Sequence, residues 1–207
     1  MGYLIPAGYG EAEFVEKRSR FIGQVWPVST EDDARAEIAR TKSKHHDARH
    51  NCWCYIIHGG AVRYSDDGEP QGTGGQPMLE VFRRGGVENV LCVVTRYFGG
   101  ILLGAGGLTR AYAGTAKMAL DASGIAQMSL WTSIEAVCPY SLFERVKNEI
   151  DARGGVMDNT DYGEAVTVTA LFPAENAKDF LQRLADMTSG TVCGIITGEK
   201  YAEAAIK

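Results

Sequence analysis

The chain has 207 residues, of which 45% are hydrophobic and 23% are charged, and its formal net charge is -5. This composition is typical of a globular protein with one or two domains and argues against a largely disordered chain. No apolar run reaches the roughly 18 residues that a membrane helix needs, and residues 1–14 lack the basic and apolar regions of a secretory signal. We therefore expect a cytoplasmic protein that does not enter a membrane.

The first half of the chain predicts strands and helices in mixed order. Ser29 or Thr30 should cap a helix that has acids in its first turn and bases toward its end. Pro77 should lie in the first turn of a second helix, with Gly85 just past its end. In chain order the predicted elements are two strands within 11–28 with a turn at 17–19, a helix over 29–47, strands over 51–59 and 61–65, a helix over 76–86, a strand within 87–98 and a helix over 107–124, closed by Gly124.

The second half predicts the order β-α-β-β-α-β, which is the split, ferredoxin-like arrangement. We expect an α+β protein of two domains, residues 1–128 and 129–207. Lys+Arg and Asp+Glu number 14 each in the first domain, and 7 and 12 in the second. The acidic second domain should bind nucleic acid poorly. Its predicted elements are a strand over 130–139, a helix over 140–154, strands over 155–162 and 164–173 with a turn at Gly163, a helix over 174–190 and a strand over 191–201.

The five cysteines are odd in number, and most lie in apolar runs. Buried free thiols in a reducing cytosol are the expected state. Cys52 and Cys54 with His50 suggest a zinc site, but no second ligand pair follows at zinc-finger spacing. We expect no metal and no cofactor. The cysteines are Cys52, Cys54, Cys92, Cys138 and Cys193.

Four segments of the first half could form a functional site: 48–55, 65–77, 95–100 and 104–112. Most of them lie where a predicted strand ends or a helix begins, which is where α/β proteins tend to build sites. The segments are ARHNCWCY, SDDGEPQGTGGQP, TRYFGG and GAGGLTRAY.

The segment 65–77 contains three carboxylates, those of Asp66, Asp67 and Glu69, followed by a glycine-rich run. The cluster is compatible with catalysis, metal binding, a phosphate-binding loop or a demanding turn. Asp-Asp-Gly is a strong turn signal, and general acid–base catalysis would need two carboxyls that face each other. Thr73 could cap the following helix or bind an anion.

Arg96 and Tyr97 follow a predicted buried strand. Arg96 is expected to point out of the core, where it would either pair with a carboxylate of residues 66–69 or face a ligand. A carboxylate held by an arginine stays ionised, so such a pair would be structural. His50 could transfer protons or hydrogen-bond a loop carbonyl, whereas His45 and His46 resemble a solvated helix end.

The segment 104–112 opens a helix after a glycine turn. Gly106 and Gly107 would let an anion approach the free N–H groups of the helix start, and Arg110 could add a charge-assisted bond. The strict phosphate-binding motifs are absent. The alternative is that these glycines permit a tight turn and close helix packing.

Together these segments resemble the IMPACT/YigZ family. The matching residues are RHNCW at 49–53, the SDDGEP segment at 65–77 and VTRYFGG to RAY at 94–112, which includes Gly99 and Gly100. The resemblance covers roughly residues 10–125 and extends more weakly to the second half. Gln76 and Leu102 stand where family members often carry a cation, which weakens the prediction of nucleic-acid binding.

The resemblance implies a first domain with the α/β fold of the second domain of ribosomal protein S-five, and a ferredoxin-like second domain similar to elongation factor G domain V. It implies a non-catalytic, translation-linked regulator that binds RNA, the ribosome or a protein partner through the loops of the first domain. The competing hypothesis is an enzyme or phosphate-ligand protein. A third is an interaction module whose acidic second domain makes the contact.

Overall fold

The computed structural model describes residues 2–203, which form two compact units, one spanning Tyr3–Gln127 and one that begins at Met128. Both are built from antiparallel sheets and helices. The elements are β1 Tyr3–Pro6, β2 Gly10–Glu16, β3 Ser19–Pro27, α1 Glu31–Lys44, β4 His50–Ile56, β5 Val62–Ser65, α2 Gly75–Gly85, β6 Val90–Tyr97, α3 Ala105–Ser123, β7 Ile125–Cys138, α4 Tyr140–Ala152, β8 Val156–Tyr162, β9 Val166–Pro173, α5 Ala174–Met187 and β10 Gly194–Glu203.

The first unit is an antiparallel sheet in the order β2-β3-β6-β4-β5, covered by helices on both faces. Alternate residues of β6 point to opposite faces. Cys92 and Val94 pack beneath α2 and α3, whereas Leu91 and Val93 pack beneath α1. The side chains of residues 90–94 of β6 therefore lie in one of two hydrophobic cores, one on each face of the sheet.

Capping residues set the helix ends of this unit, and one predicted helix end was wrong. The Thr30 hydroxyl accepts a hydrogen bond from the Asp33 N–H and caps α1, as predicted. Gly85 is the last residue of α2, so placing it past the end was wrong. Gly86 has φ 62° and supplies the left-handed conformation that closes the helix.

The short strand β1 is absent from the sequence prediction. It is held by backbone bonds to residues far along the chain: the Leu4 carbonyl accepts from the Glu88 N–H, and the adjoining Ala7 N–H donates to the Gly124 carbonyl. β7 also begins at Ile125, five residues before the predicted strand, because Gly124 ends α3 and the chain extends at once.

The second unit has the predicted β-α-β-β-α-β element order, with its strands arranged β8-β9-β7-β10. All three strand pairs are antiparallel. The helices α4 and α5 contribute Val146, Ile150 and Phe180 to one core with Ile134 and Phe172 of the sheet. Among residues 2–203 no helix is long and apolar enough to span a bilayer.

Candidate functional site

A buried charge cluster joins β6, α3 and the acidic stretch. Arg96 Nη1 donates to Glu69 Oε1 at 2.7 Å, and the Tyr112 hydroxyl donates to the same oxygen at 2.9 Å. The side chains of Arg96 and Glu69 are only 6% and 2% exposed. The pairing of Arg96 with a carboxylate of residues 66–69 is confirmed, but Arg96 points into the core beneath the helices, so the expectation that it points outward was wrong.

Asp66 binds the glycine-rich loop as an internal anion. Its Oδ1 accepts from the N–H groups of Gly74 and Gly75 at 3.0 and 2.9 Å, and its Oδ2 accepts from Gly72 at 2.8 Å. These amides lie at the start of α2, where a carboxylate is favoured by free N–H groups and by the helix dipole. A Cβ at Gly75 would lie 2.7 Å from the Ser65 carbonyl oxygen, so this approach requires glycine.

Thr73 does not cap α2, so that prediction was wrong. Its hydroxyl donates to the Pro70 carbonyl at 2.6 Å, and the N-cap residue is Gly74. The Asp66 carboxylate, eight residues before the N-cap residue, accepts the N–H groups at the start of the helix instead. Thr73 is buried and holds the loop.

Asp67 ties the turn to the start of β4. Its carboxylate accepts from the Lys42 ammonium at 2.6 Å and from the Asn51 N–H at 2.7 Å. The φ angles of Asp67 and Gly68 are 44° and 85°, and the Glu69 N–H donates to the Asp66 carbonyl. Two consecutive positive φ angles are the requirement of a type I′ turn, which Asp-Gly satisfies.

His50 hydrogen-bonds a loop carbonyl, which was one of its two predicted roles. Its Nδ1 donates to the Asp67 carbonyl oxygen at 2.8 Å, since a carbonyl can only accept. This bond orients Nε2 toward Glu69, whose Oε1 is 3.8 Å away. His50 and Arg96 are opposite one another in the β4–β6 register, so both lie at the same end of the sheet.

A cavity of about 390 Å³ opens beside this cluster. Two guanidinium groups lie near the ring of Phe98, with Arg49 at 5.6 Å and Arg96 at 5.5 Å from its centroid. The start of α3 forms another wall, where Gly104 is the N-cap residue and provides no side-chain cap. The lining residues are Arg49, His50, Gly68, Glu69, Pro70, Arg96, Phe98, Leu102, Leu103, Gly104, Ala105 and Leu108.

Of the predicted site residues, His50, Glu69 and Arg96 line the cavity and the others do not. Tyr97 points to the opposite face of the sheet, where its hydroxyl contacts His45 Nδ1 at 2.9 Å and donates to Asp47 at 3.1 Å. His45 is buried there, so its assignment to a solvated helix end was wrong; burial lowers the pKa of its imidazole. Arg110 is exposed on α3 and has no ion pair among residues 2–203.

The glycines of residues 99–107 have different roles. A Cβ at Gly99 would lie 2.0 Å from the Arg18 carbonyl carbon, so Gly99 allows the turn after β2 to pack on this segment. Gly100 has φ 84°, which favours glycine. Gly106 and Gly107 form the first turn of α3. A Cβ at Gly107 would lie 3.0 Å from the Leu103 Cβ, so Gly107 also allows close packing.

The cysteines are poor candidates for chemistry. Burial raises the pKa of the Cys52 thiol to about 12, and the thiol donates to the Asp66 carbonyl. Burial also raises the pKa of Cys54 and Cys92. Within the described chain no group of three His, Cys, Asp or Glu side chains is arranged to hold a metal ion.

Two family models match the chain. One is described as the Impact N-terminal domain and matches residues 17–120; the other is a domain of unknown function, DUF1949, and matches residues 137–191. The IMPACT family member YvyE of Bacillus subtilis is 36% identical over 91% of this chain and 88% of its own length. The chain belongs to the IMPACT family. YigZ of Escherichia coli, another IMPACT family member, is 34% identical over 92% of this chain and 95% of its own.

A solved structure gives a further match to this IMPACT family chain. It is described as the crystal structure of a hypothetical protein, with 32% sequence identity and a TM-score of 0.63. The match covers 95% of this chain and 98% of the other. The two family models and the two relatives confirm the family assigned from three sequence segments.

Sequence reasoning missed three participants in the site. Tyr112 ends the candidate segment 104–112 but was given no role, and its hydroxyl binds Glu69. Ser19 accepts from Arg96 Nη2 at 3.4 Å and from the Gly99 N–H at 3.2 Å. Phe98 contacts the guanidinium groups of both Arg49 and Arg96. The signal for Tyr112 was available, because a buried tyrosine hydroxyl usually has a hydrogen-bond partner.

Proposed function

We propose that this protein is a non-catalytic, translation-linked binding protein of the cytoplasm, and that its first unit binds RNA. The binding surface, which we call the cationic end, comprises Lys17, Arg18, Arg49 and Arg110. The observation that carries the proposal is that these cations are exposed and unpaired within residues 2–203, while the neighbouring acids are held internally.

The absence of a reactive arrangement among the acids supports a binding role. Asp66 accepts three backbone N–H bonds, Asp67 holds Lys42 and Asn51, and Glu69 holds Arg96. A carboxylate whose oxygens are engaged by donors of the fold orders the local structure. The acids are therefore better suited to fixing the loop than to transferring protons.

The topology supports one continuous surface for three of these cations. Lys17 and Arg18 lie in the turn between β2 and β3, and Arg49 immediately precedes β4. The antiparallel pairing places Arg20 opposite Tyr97, and His50 opposite Arg96, so both chain segments meet at the end of β6. Exposed cations without carboxylate partners are free to neutralise the phosphates of a nucleic-acid backbone.

The direct test is the salt dependence of RNA binding, measured by fluorescence anisotropy with single-stranded and ribosomal RNA fragments. Arg18→Ala and Arg49→Ala should each weaken binding and reduce the slope of log K against log salt by about 1. Lys117→Ala is the matched control, because Lys117 is exposed on α3 but paired with Asp121. The proposal fails if the wild type does not bind RNA at low salt, or if the control weakens binding as much as Arg49→Ala.

We also propose that residues 1–128 and 129–207 are separate domains with the two folds that the family resemblance implies. The strand order β8-β9-β7-β10, with both helices packed on one side, supports the ferredoxin-like name for the second. Expression of each range alone tests this proposal: each should give a cooperative unfolding transition, and a molten or insoluble product from either range would contradict the boundary.

A further inference from the structure

The guanidinium of Arg96 is buried without a full set of hydrogen bonds. Its Nη1 and Nη2 have acceptors in Glu69 and Ser19, but Nε has none within residues 2–203. A guanidinium carries five N–H donors, and a buried donor without an acceptor is costly. Arg96 is also a wall of the cavity described above. Arg96 therefore places a positive charge at the cavity wall with two hydrogen bonds for its five donors within residues 2–203, which favours an anionic ligand.

The start of α3 adds donors to the same cavity. Gly104, with φ 72°, is the N-cap residue and has no side chain to accept from the first N–H groups. Both Gly104 and Ala105 line the cavity. An uncapped helix start favours an anion through its N–H groups and dipole. The helix start and the unsatisfied Arg96 are independent observations, and both point to an anionic ligand.

The charge around the cavity suits a phosphate monoester. Arg49, Arg96 and the helix start together supply about +2.5 elementary charges, and Glu69 reduces this sum to about +1.5. A phosphate monoester carries about -1.5 to -2 near neutral pH, whereas a carboxylate carries about -1. Arginine also matches phosphate oxygens through paired N–H donors.

The remaining walls are apolar. Phe98, Leu102, Leu103 and Leu108 line the cavity, and its volume of about 390 Å³ lies in the range of small-molecule sites. Phe98 is 39% exposed, so its ring is available to stack against an aromatic ring of a ligand. The site therefore combines an anion-binding wall with a surface for a flat, weakly polar body.

We propose that this cavity binds a phosphate monoester that carries an aromatic body, in the form of a free mononucleotide or the phosphorylated end of an RNA. The phosphate lies against Arg96, Arg49 and the start of α3, and the base contacts Phe98. The site adds to the proposed RNA-binding surface and does not depend on it, because its ligand can be free or at the end of a chain. His50 also lines the cavity.

The test is calorimetric titration of the intact chain with adenosine 5′-monophosphate, adenosine and inorganic phosphate. The nucleotide should bind at least about 10-fold more tightly than the nucleoside. Arg49→Ala should remove most of that difference. Arg84→Ala is the matched control, because Arg84 lines a separate groove between α2 and α3 and should leave the affinity unchanged. Equal binding of nucleotide and nucleoside by the wild type would overturn the proposal.

Leu102 offers variants that do not threaten folding, because it is 82% exposed at the cavity wall. Leu102→Lys should tighten nucleotide binding by about 3-fold or more, and Leu102→Glu should weaken it by a similar factor. If both variants bind like the wild type, the phosphate does not lie near this loop and the proposal is wrong.

A second arm compares RNA oligonucleotides with 5′-phosphate and 5′-hydroxyl ends. Tighter binding of the phosphorylated oligonucleotide supports the site and identifies an RNA end as a source of the monoester; binding of the free nucleotide alone supports the site with a small-molecule source. RNA binding that ignores the terminal phosphate, together with no nucleotide binding, overturns this inference and leaves the proposed function standing. Nucleotide binding without any RNA binding supports this inference and contradicts the proposed function.

Discussion

Replacing Arg96 with methionine should strongly destabilise the first unit. Methionine keeps much of the length of the side chain but leaves the Glu69 carboxylate, which is 2% exposed, without its cation at 2.7 Å. The Tyr112 hydroxyl at 2.9 Å would remain as a neutral donor. Breaking a buried ion pair from one side costs about 3–5 kcal/mol. With a urea m-value of about 2 kcal/mol/M, the midpoint should fall by ~2 M.

The assay is urea unfolding followed by tryptophan fluorescence in a Trp131→Phe background, where Trp26 and Trp53 report only on the first unit. The double variant Arg96→Met with Glu69→Leu should recover at least about 2 kcal/mol, because neither buried charge remains.

Arg83→Ala provides a surface control for this measurement. Arg83 pairs with Glu80 at 3.0 Å, but the two side chains are 53% and 42% exposed. Such a pair contributes less than about 1 kcal/mol. The reasoning is refuted if Arg96→Met costs no more than Arg83→Ala, or if the double variant loses the full sum of its two single changes.

Three further predictions concern the stability of the first unit. Asp66→Ala should cost about 3 kcal/mol in urea unfolding, since it leaves three N–H groups at the start of α2 without their acceptor. Gly99→Ala should cost about 1–3 kcal/mol because its Cβ would overlap Arg18, whereas Gly114→Ala, in open space on α3, should stabilise slightly; equal effects would contradict the packing. Burial lowers the pKa of His45, so the unfolded state binds the proton at a higher pH than the folded state does, and the melting temperature should fall as pH drops below about 6.5. His45→Gln should reduce this dependence of the melting temperature on pH. An unchanged dependence in the variant would contradict the prediction.

Much of the fold follows from sequence patterns because its elements are long and locally consistent. The apolar runs predicted every helix and all strands except β1, which has only four residues and ends at a proline. A strand of that length carries too little periodicity to be recognised. Its position depends on backbone bonds to Glu88 and Gly124, which are distant in sequence.

The site was only partly predictable. A strand sequence shows which side chains share a face of the sheet, but it does not show which elements cover that face. Arg96 and Tyr97 were expected to follow a buried strand, whereas they are its last two residues, and Arg96 was expected to point outward, whereas helices cover its face of the sheet and it is buried. The Arg96–Glu69 pair followed from charge and proximity. The hydrogen bonds of the Asp66 carboxylate to the start of α2 could not be predicted, because their donors lie six to nine residues further along a loop whose geometry is set by tertiary packing.

The most direct test of the proposed role is co-sedimentation of the tagged protein with ribosomes in a bacterial lysate. At moderate salt the wild type should appear in the ribosomal fractions, and the double variant Arg18→Ala with Arg49→Ala should shift to the ribosome-free fraction because two phosphate contacts are lost. Lys117→Ala should sediment like the wild type. A wild-type protein found wholly in the ribosome-free fraction would contradict the account, as would a double variant that sediments unchanged.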